Sequence, residues 1–298
     1  MAEVWLFYII SAVVLWAVTT IIDKIALTKH VNAFSYLVTY TPLKIIIIVG
    51  VLLFSGINST LPHLLAFLAG VIAVFGYYAY AYAMKGEEAS RIAGLTSLYP
   101  AVVAVLAAIF INEVFPLKSY LGIAMMIIGT ILISQKSSKI HKMIPFAIVT
   151  IALISSLIYG IEQIMSKISL GSIDTWPFLA SYFIGNLTAT LLSLSVPYFR
   201  NNLVKELRSL NKRTFMMLES ASVGWTTAII FFFYAASLGP ITLVSTIGIT
   251  TPLAVLLLAI ALSKFWPNVF KEEIDHRTLA FKFFGIAFVS IGTWLILV

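Results

Sequence analysis

The sequence predicts an all-α polytopic membrane protein, with ten transmembrane helices arranged as two inverted five-helix repeats. Three observations predict it. Hydrophobic residues make up 61% of the chain and charged residues 10%, with mean hydropathy +1.03, whereas a soluble domain has about 45–50% and about 25%. Ten apolar stretches each run for about 17–25 residues, the length that crosses a bilayer and more than a buried core requires. The chain is also written twice. Tyr82–Pro100, YAMKGEEASRIAGLTSLYP, and Tyr234–Pro252, YAASLGPITLVSTIGITTP, share Tyr-Ala at one end and a proline inside an apolar run at the other, 152 positions apart.

The predicted spans of the first half are 4–28, 34–55, 62–84, 90–111 and 117–134. Span one carries Trp16, Thr20 and Lys24, spaced four apart and so on one face. Its start at Val4, without a basic leader, and its length speak against a cleavable signal peptide. Span two holds Lys44 between TPL and IIIIVG, with Pro42, two residues before it, expected to bend the helix. An ionisable group that deep needs a reason. Lys44 is either a positive charge facing a central cavity or a lysine paired between helices. Span three ends in Tyr77, Tyr78, Tyr80 and Tyr82, interleaved with alanines. An interfacial aromatic belt explains Tyr80 and Tyr82, and a substrate pathway is the reading for Tyr78. Span four contains Pro100 behind Thr96 and Ser97, and span five contains Gly122 and Gly129, small faces for close helix contact.

A polar, basic segment, 135–143 (QKSSKIHKM), separates the halves, giving 1–134 and 144–298 as the two repeats. The second half has predicted spans 144–169, 175–198, 215–237, 241–263 and 278–298. On span six, Tyr159, Gln163 and Lys167 repeat the stripe of span one at an offset of 143, and Gly285, Gly292 and Thr293 repeat Gly122, Gly129 and Thr130 at 163. The offset grows because about a dozen residues around Lys264–Asp275 are inserted before span ten. Glu162, beside Gln163, is the acid expected to pair with Lys44 or to carry a proton; hydration near the interface is the other reading. Span eight offers Trp225, favoured for a cavity wall, and span nine offers Pro252 behind Thr246, Thr250 and Thr251. Each proline removes a backbone hydrogen bond that neighbouring hydroxyls can replace, so Pro100 and Pro252 are the expected hinges. Between spans seven and eight, FRNNLVKELRSLNKRT sets Leu203, Leu207 and Leu210 on one helical face and basic residues around the rest. That pattern suits the surface of an anionic leaflet.

Five spans per half is an odd number, so the second half enters the bilayer from the side opposite the first. Of nineteen lysines and arginines, sixteen fall in connections opposite the termini, against Lys118 and Lys167 on the terminal side and Lys44 in mid-membrane. This bias places both termini outside the cytoplasm, in a cell (inner) membrane. The net charge of +7 therefore reads as membrane orientation, not as affinity for nucleic acid.

Enzymatic motifs are missing. The sequence has no HExxH, GxSxG or GxxxxGK[ST], its three aspartates are scattered, and it has no cysteine. His30, His63, His141 and His276 fall in separate connections or helix ends. No metal, cofactor or ATP-driven pumping is expected.

The residues L15-W16 with K24-I25-A26-L27, the proline-containing fourth span ending in N112-E113-V114-F115, and the G122…G129-T130 fifth span resemble the drug/metabolite transporter (DMT) superfamily, specifically its EamA-like members. The resemblance covers nearly the whole chain. It implies a central cavity walled mainly by spans one to four and six to nine. Glu113 matches the family's glutamate after span four, where it is expected to cap the next helix. Lys264-Phe265 stand where the second repeat would have that acid.

The expected function is a secondary transporter of small metabolites, amino acids or related solutes, working by alternating access as a monomer among membrane lipids. The expected substrate-binding residues are Lys44, Trp16, Tyr78, Tyr159, Glu162, Gln163 and Trp225. The alternative is a transporter or flippase for a lipid-linked or nucleotide-linked phosphate, which Lys44 would meet.

Overall fold

Apolar runs of this length fold as helices because a helix satisfies every backbone polar group within its own segment, as the bilayer interior demands. The computed structural model describes residues 4–27, 38, 41–54, 60–86, 95–134, 146–209, 212–263 and 276–297, and all regular structure among them is helical. The helices are α1 (Val4–Leu27), α2 (Thr41–Phe54), α3 (Leu61–Gly86), α4 (Tyr99–Phe110), α5 (Leu117–Ser134) and α6 (Phe146–Leu170), followed by α7 (Thr175–Ser193), α8 (Pro197–Ser209), α9 (Lys212–Leu238), α10 (Ile241–Gly248), α11 (Thr251–Ser263) and α12 (His276–Leu297). Four segments, Val4–Ile22, Leu61–Tyr80, Phe146–Leu170 and Thr214–Leu238, are long and apolar enough to cross a membrane, and α7 with the start of α8 makes a fifth, bent pair. Shorter apolar helices are α2, α4, most of α5, Ile241–Val255 and Ala280–Ile296. The linker 135–143 and the insertion 264–275 lie outside the described residues, as do the side chains of Asp23 and Lys24.

The shortening of spans four and nine has a physical cause. Turns at 97–98 and at 249–250 interrupt them, two residues before Pro100 and Pro252. Proline cannot donate to the carbonyl four residues back, and in both places a hydroxyl substitutes. Thr251 donates to the Gly248 carbonyl at 2.9 Å, and Ser156 of α6 donates to the Thr96 carbonyl at 3.4 Å. Pro42 differs from expectation. It stands in the first turn of α2, where a missing N–H is harmless.

The glycines of α5 and α12 form a close seam. A Cβ at Gly122 would lie 2.7 Å from the Gly292 carbonyl oxygen, and one at Gly129 would lie 2.7 Å from that of Gly285. As residue number rises along α5 it falls along α12, so the two helices run antiparallel. Side chain–backbone bonds set α6 against α3: Ser155 donates to the Gly76 carbonyl at 2.9 Å and Ser169 to the Pro62 carbonyl at 2.8 Å. This pair is antiparallel too, since 155 with 76 and 169 with 62 give the same sum. The principal neighbours are α5 with α12, α1 with α9, α3 with α6 and α7, α4 with α6, α1 with α10 and α11, α2 with α7, and α4 with α10. One continuous core of small and aromatic residues, including Ala12, Ala66, Ala69, Phe178, Phe183, Phe233 and Ile241, joins the central helices.

Candidate functional site

The interior of a membrane bundle is the worst place for unpaired charge, and the acid and the lysine sealed inside this one have built partners. Glu162 and Gln163 of α6 are 4% and 6% exposed. Ser166, one turn along α6, donates to Glu162 Oε1 at 3.2 Å, and the Tyr182 hydroxyl of α7 lies beside this carboxyl group. Gln163 Oε1 accepts a short bond from the Ser245 hydroxyl of α10. The Tyr99 hydroxyl of α4 donates to the Ser245 carbonyl at 3.2 Å and lies beside Gln163. The ring of Tyr159 lies 6.4 Å from that of Tyr99. Four helices thus converge on one acid and one amide.

Lys44 is 5% exposed, and its ammonium donates to Asn186 Oδ1 of α7 at 2.7 Å. Among the described contacts the Lys44 bond runs to Asn186, while Ser166 holds the Glu162 carboxyl group. Tyr182 and Asn186 stand one turn apart on α7, so this helix meets the acid with one residue and the cation with the next of its face. Tyr182 and Asn186 are themselves about 6 Å apart along the axis of α7. Sequence reading missed Tyr182, Asn186, Tyr99 and Ser245. The four-residue spacing of Tyr182 and Asn186 on a largely apolar helix was the available signal. A close approach fixes this geometry. A Cβ at Gly70 of α3 would overlap the Tyr182 carbonyl, and one at Gly185 the Phe67 carbonyl, so α7 lies against α3 backbone to backbone.

Beside the polar centre, the Trp16 ring of α1 sits 6.2 Å from that of Trp225 and 5.8 Å from that of Phe232. A Cβ at Gly248 would meet both the Tyr99 hydroxyl and Trp16, at 3.3 and 3.8 Å. The indole N–H of Trp16 is buried without an acceptor among the described residues. The structure therefore brings Trp16, Tyr159, Glu162, Gln163 and Trp225 to one neighbourhood and reaches Lys44 through α7. It closes the centre by contact between rings. Tyr78 meets a different surface, stacked parallel on Phe199 of α8 at 5.8 Å. Thr20 is exposed and bonds back to the Trp16 carbonyl at 2.7 Å instead of extending the polar stripe.

A second charged arrangement ties distant parts of the chain. Asn112 adopts a left-handed backbone with φ of 52°, and the Glu113 N–H returns to the Ala107 carbonyl at 3.1 Å, a common way to end a helix. The turn aims Glu113 at α10. Its carboxylate accepts from the backbone N–H of Ile241 at 3.1 Å and Thr242 at 2.8 Å, where the preceding Pro240 supplies no side-chain cap. Glu113 therefore caps α10 and not the next helix, α5. Across the same turn, Lys167 donates to the carbonyls of Ala236 at 2.6 Å and Gly239 at 2.8 Å, closing the end of α9. Acid at a helix start and cation at a helix end both complement the helix dipole.

Long apolar helices around a sealed polar centre define an integral, multi-pass membrane protein. Residues 3–135 match the EamA-like transporter family. An uncharacterized protein of Methanocaldococcus jannaschii is 30% identical over 123 residues, which are 41% of this chain and 89% of that protein. A crystal structure described only as that of a protein has a TM-score of 0.74 at 14% identity, covering 99% of this chain and 98% of the other; at that identity the likeness shows the fold alone. The chain belongs to the EamA-like transporter family of the DMT superfamily. It is a membrane transporter of the DMT type.

Proposed function

We propose that this protein is a secondary transporter that moves small metabolites, amino acids or related solutes, by alternating access around the Lys44–Glu162 centre. The observation that carries this reading is a buried amine, Lys44, and a buried carboxyl group, Glu162, whose neighbours Asn186 and Tyr182 stand one turn apart on α7. A zwitterionic solute offers a carboxylate to Lys44 and an ammonium to Glu162. Trp16, Tyr159, Gln163 and Trp225 would wall the same chamber, with Tyr78 near its α8 side. Glu162 would also exchange a proton during the cycle.

The mechanism rests on ten spans in two inverted halves, 1–134 and 144–298, joined by 135–143. Support comes from the pairing of the helices. Matching spans one to five with six to ten turns the α1–α9 pair into α6–α3, and α1 with α10 and α11 into α6 with α4. The seam α5–α12 maps onto itself, Gly122–Gly292 exchanging with Gly285–Gly129. The turns at 97–98 and 249–250 are related by the same offset of 152 as the duplicated segments. The family match over 3–135 also spans about one half. In this reading the breaks before Pro100 and Pro252 bend α4 and the α10–α11 pair as the halves rock. A complete inverted pair works as a monomer, in a cell membrane, with both termini outside.

Uptake into liposomes of a labelled amino-acid panel, with and without a pH gradient, tests this reading. Flux of at least one amino acid is expected, abolished in Lys44→Ala and insensitive to the gradient in Glu162→Gln. Transport of phosphate-bearing substrates only, or full activity of Lys44→Ala, would remove it.

A further inference from the structure

The interfacial helix α8 has a feature that solute transport does not use. It leaves α7 at 94°, so with α7 across the membrane α8 lies close to its plane. Leu203 is buried beneath it. Phe199 stacks on Tyr78 of α3 with the ring planes 8° apart, fixing which side of α8 faces the bundle. On the flank left open, Arg200, Asn201, Val204 and Lys205 line a concavity of about 460 Å3. All four are exposed. Among the described side chains, which do not include that of Glu206, no carboxylate pairs with Arg200 or Lys205. By sequence α8 carries Arg200, Lys205 and Arg208 against Glu206, a net charge of +2.

From this arrangement we infer that α8 is a binding site for the headgroup of an anionic phospholipid. Two cations little more than a turn apart match the single negative charge and several oxygens of a phosphodiester. The Asn201 amide adds a donor for a glycerol hydroxyl, and Val204 supplies an apolar wall for the glycerol and the first acyl carbons. A zwitterionic headgroup brings its own quaternary ammonium toward Arg200 and Lys205 and is disfavoured. Depth agrees with this occupant, because a helix held flat by Leu203 and Phe199 sets its basic flank at the level of lipid phosphates. The site does not depend on the transport mechanism, although the headgroup would brace the bend that leads into α7.

The test uses the full chain in detergent micelles, titrated separately with dioleoyl phosphatidylglycerol and dioleoyl phosphatidylcholine, with bound lipids counted by native mass spectrometry. Phosphatidylglycerol is expected to bind more than about tenfold more tightly. Arg200→Gln and Lys205→Gln should each weaken it by about fivefold, the effect of about 1 kcal/mol per interfacial charge. Lys118→Gln, exposed and remote in sequence from α8, should leave both affinities unchanged. Equal affinity for the two lipids overturns the inference whether or not the variants fold. So does a double variant that binds phosphatidylglycerol like the unmodified protein. Displacement of the lipid by equimolar glycerol 3-phosphate would mean a soluble-phosphate site instead, and would also overturn it.

Discussion

The α5–α12 seam and the α6–α7 centre are both buried helix contacts, but they are built from opposite materials. At the seam, four glycines let two backbones touch, and no charged side chain takes part in the contacts described. At the centre, an acid, a lysine, two amides and two tyrosines meet across four or more helices. Close apolar packing has one good arrangement and resists change. A hydrogen-bonded polar cluster can exchange partners with a solute that offers equivalent groups. The seam is therefore suited to a fixed axis and the centre to a changing one.

The comparison would break most visibly at the centre. Lys44→Met should reduce flux by more than about tenfold in the liposome assay. The melting temperature should change little, because relief of the buried amine's desolvation offsets the loss of its bond to Asn186. A loss of stability equal to the loss of flux would make Lys44 a structural bolt, and the contrast with the seam would vanish. The seam should behave in reverse. Gly129→Val inserts atoms where a Cβ already lies 2.7 Å from a carbonyl oxygen, so stability should fall by about 1–3 kcal/mol. Substrate KM in the surviving folded protein should be unchanged.

How far the sequence alone reached follows the same division. The seam was legible as paired glycines at a constant offset, and the proline breaks as paired prolines, because these residue types have few other uses inside a membrane helix. Lys44 and Glu162 stood out by charge. Their partners did not, since Asn186 lies 142 residues from Lys44 and an isolated asparagine or tyrosine on an apolar helix names no contact. Glu113 shows the limit most clearly. Its cap on α10, 128 residues away, depends on how the first half docks on the second, which local signals do not encode.

Two smaller effects sharpen the picture. Gly70→Ala uses the same backbone-contact chemistry as the seam but beneath Tyr182 and Asn186. It should lower stability and flux together, read by melting temperature and by initial transport rate. Unchanged flux at lowered stability would separate the α3–α7 contact from the site. Glu113→Gln keeps the shape of the α10 cap and weakens its charge-assisted bonds, so a stability loss of about 0.5–2 kcal/mol is expected in denaturant titration.

The most direct measurement of the proposed mechanism exploits the absence of cysteine from the chain. Ser245 is fully buried beside Gln163, so Ser245→Cys reports access to the centre with little change in size. In oriented vesicles, a membrane-impermeant thiol reagent is predicted to reach the introduced thiol from one side without substrate and from the opposite side when substrate is supplied there. A transport-active variant whose thiol stays protected from both sides under every condition, or opens to only one, would contradict a centre that faces the two sides in turn.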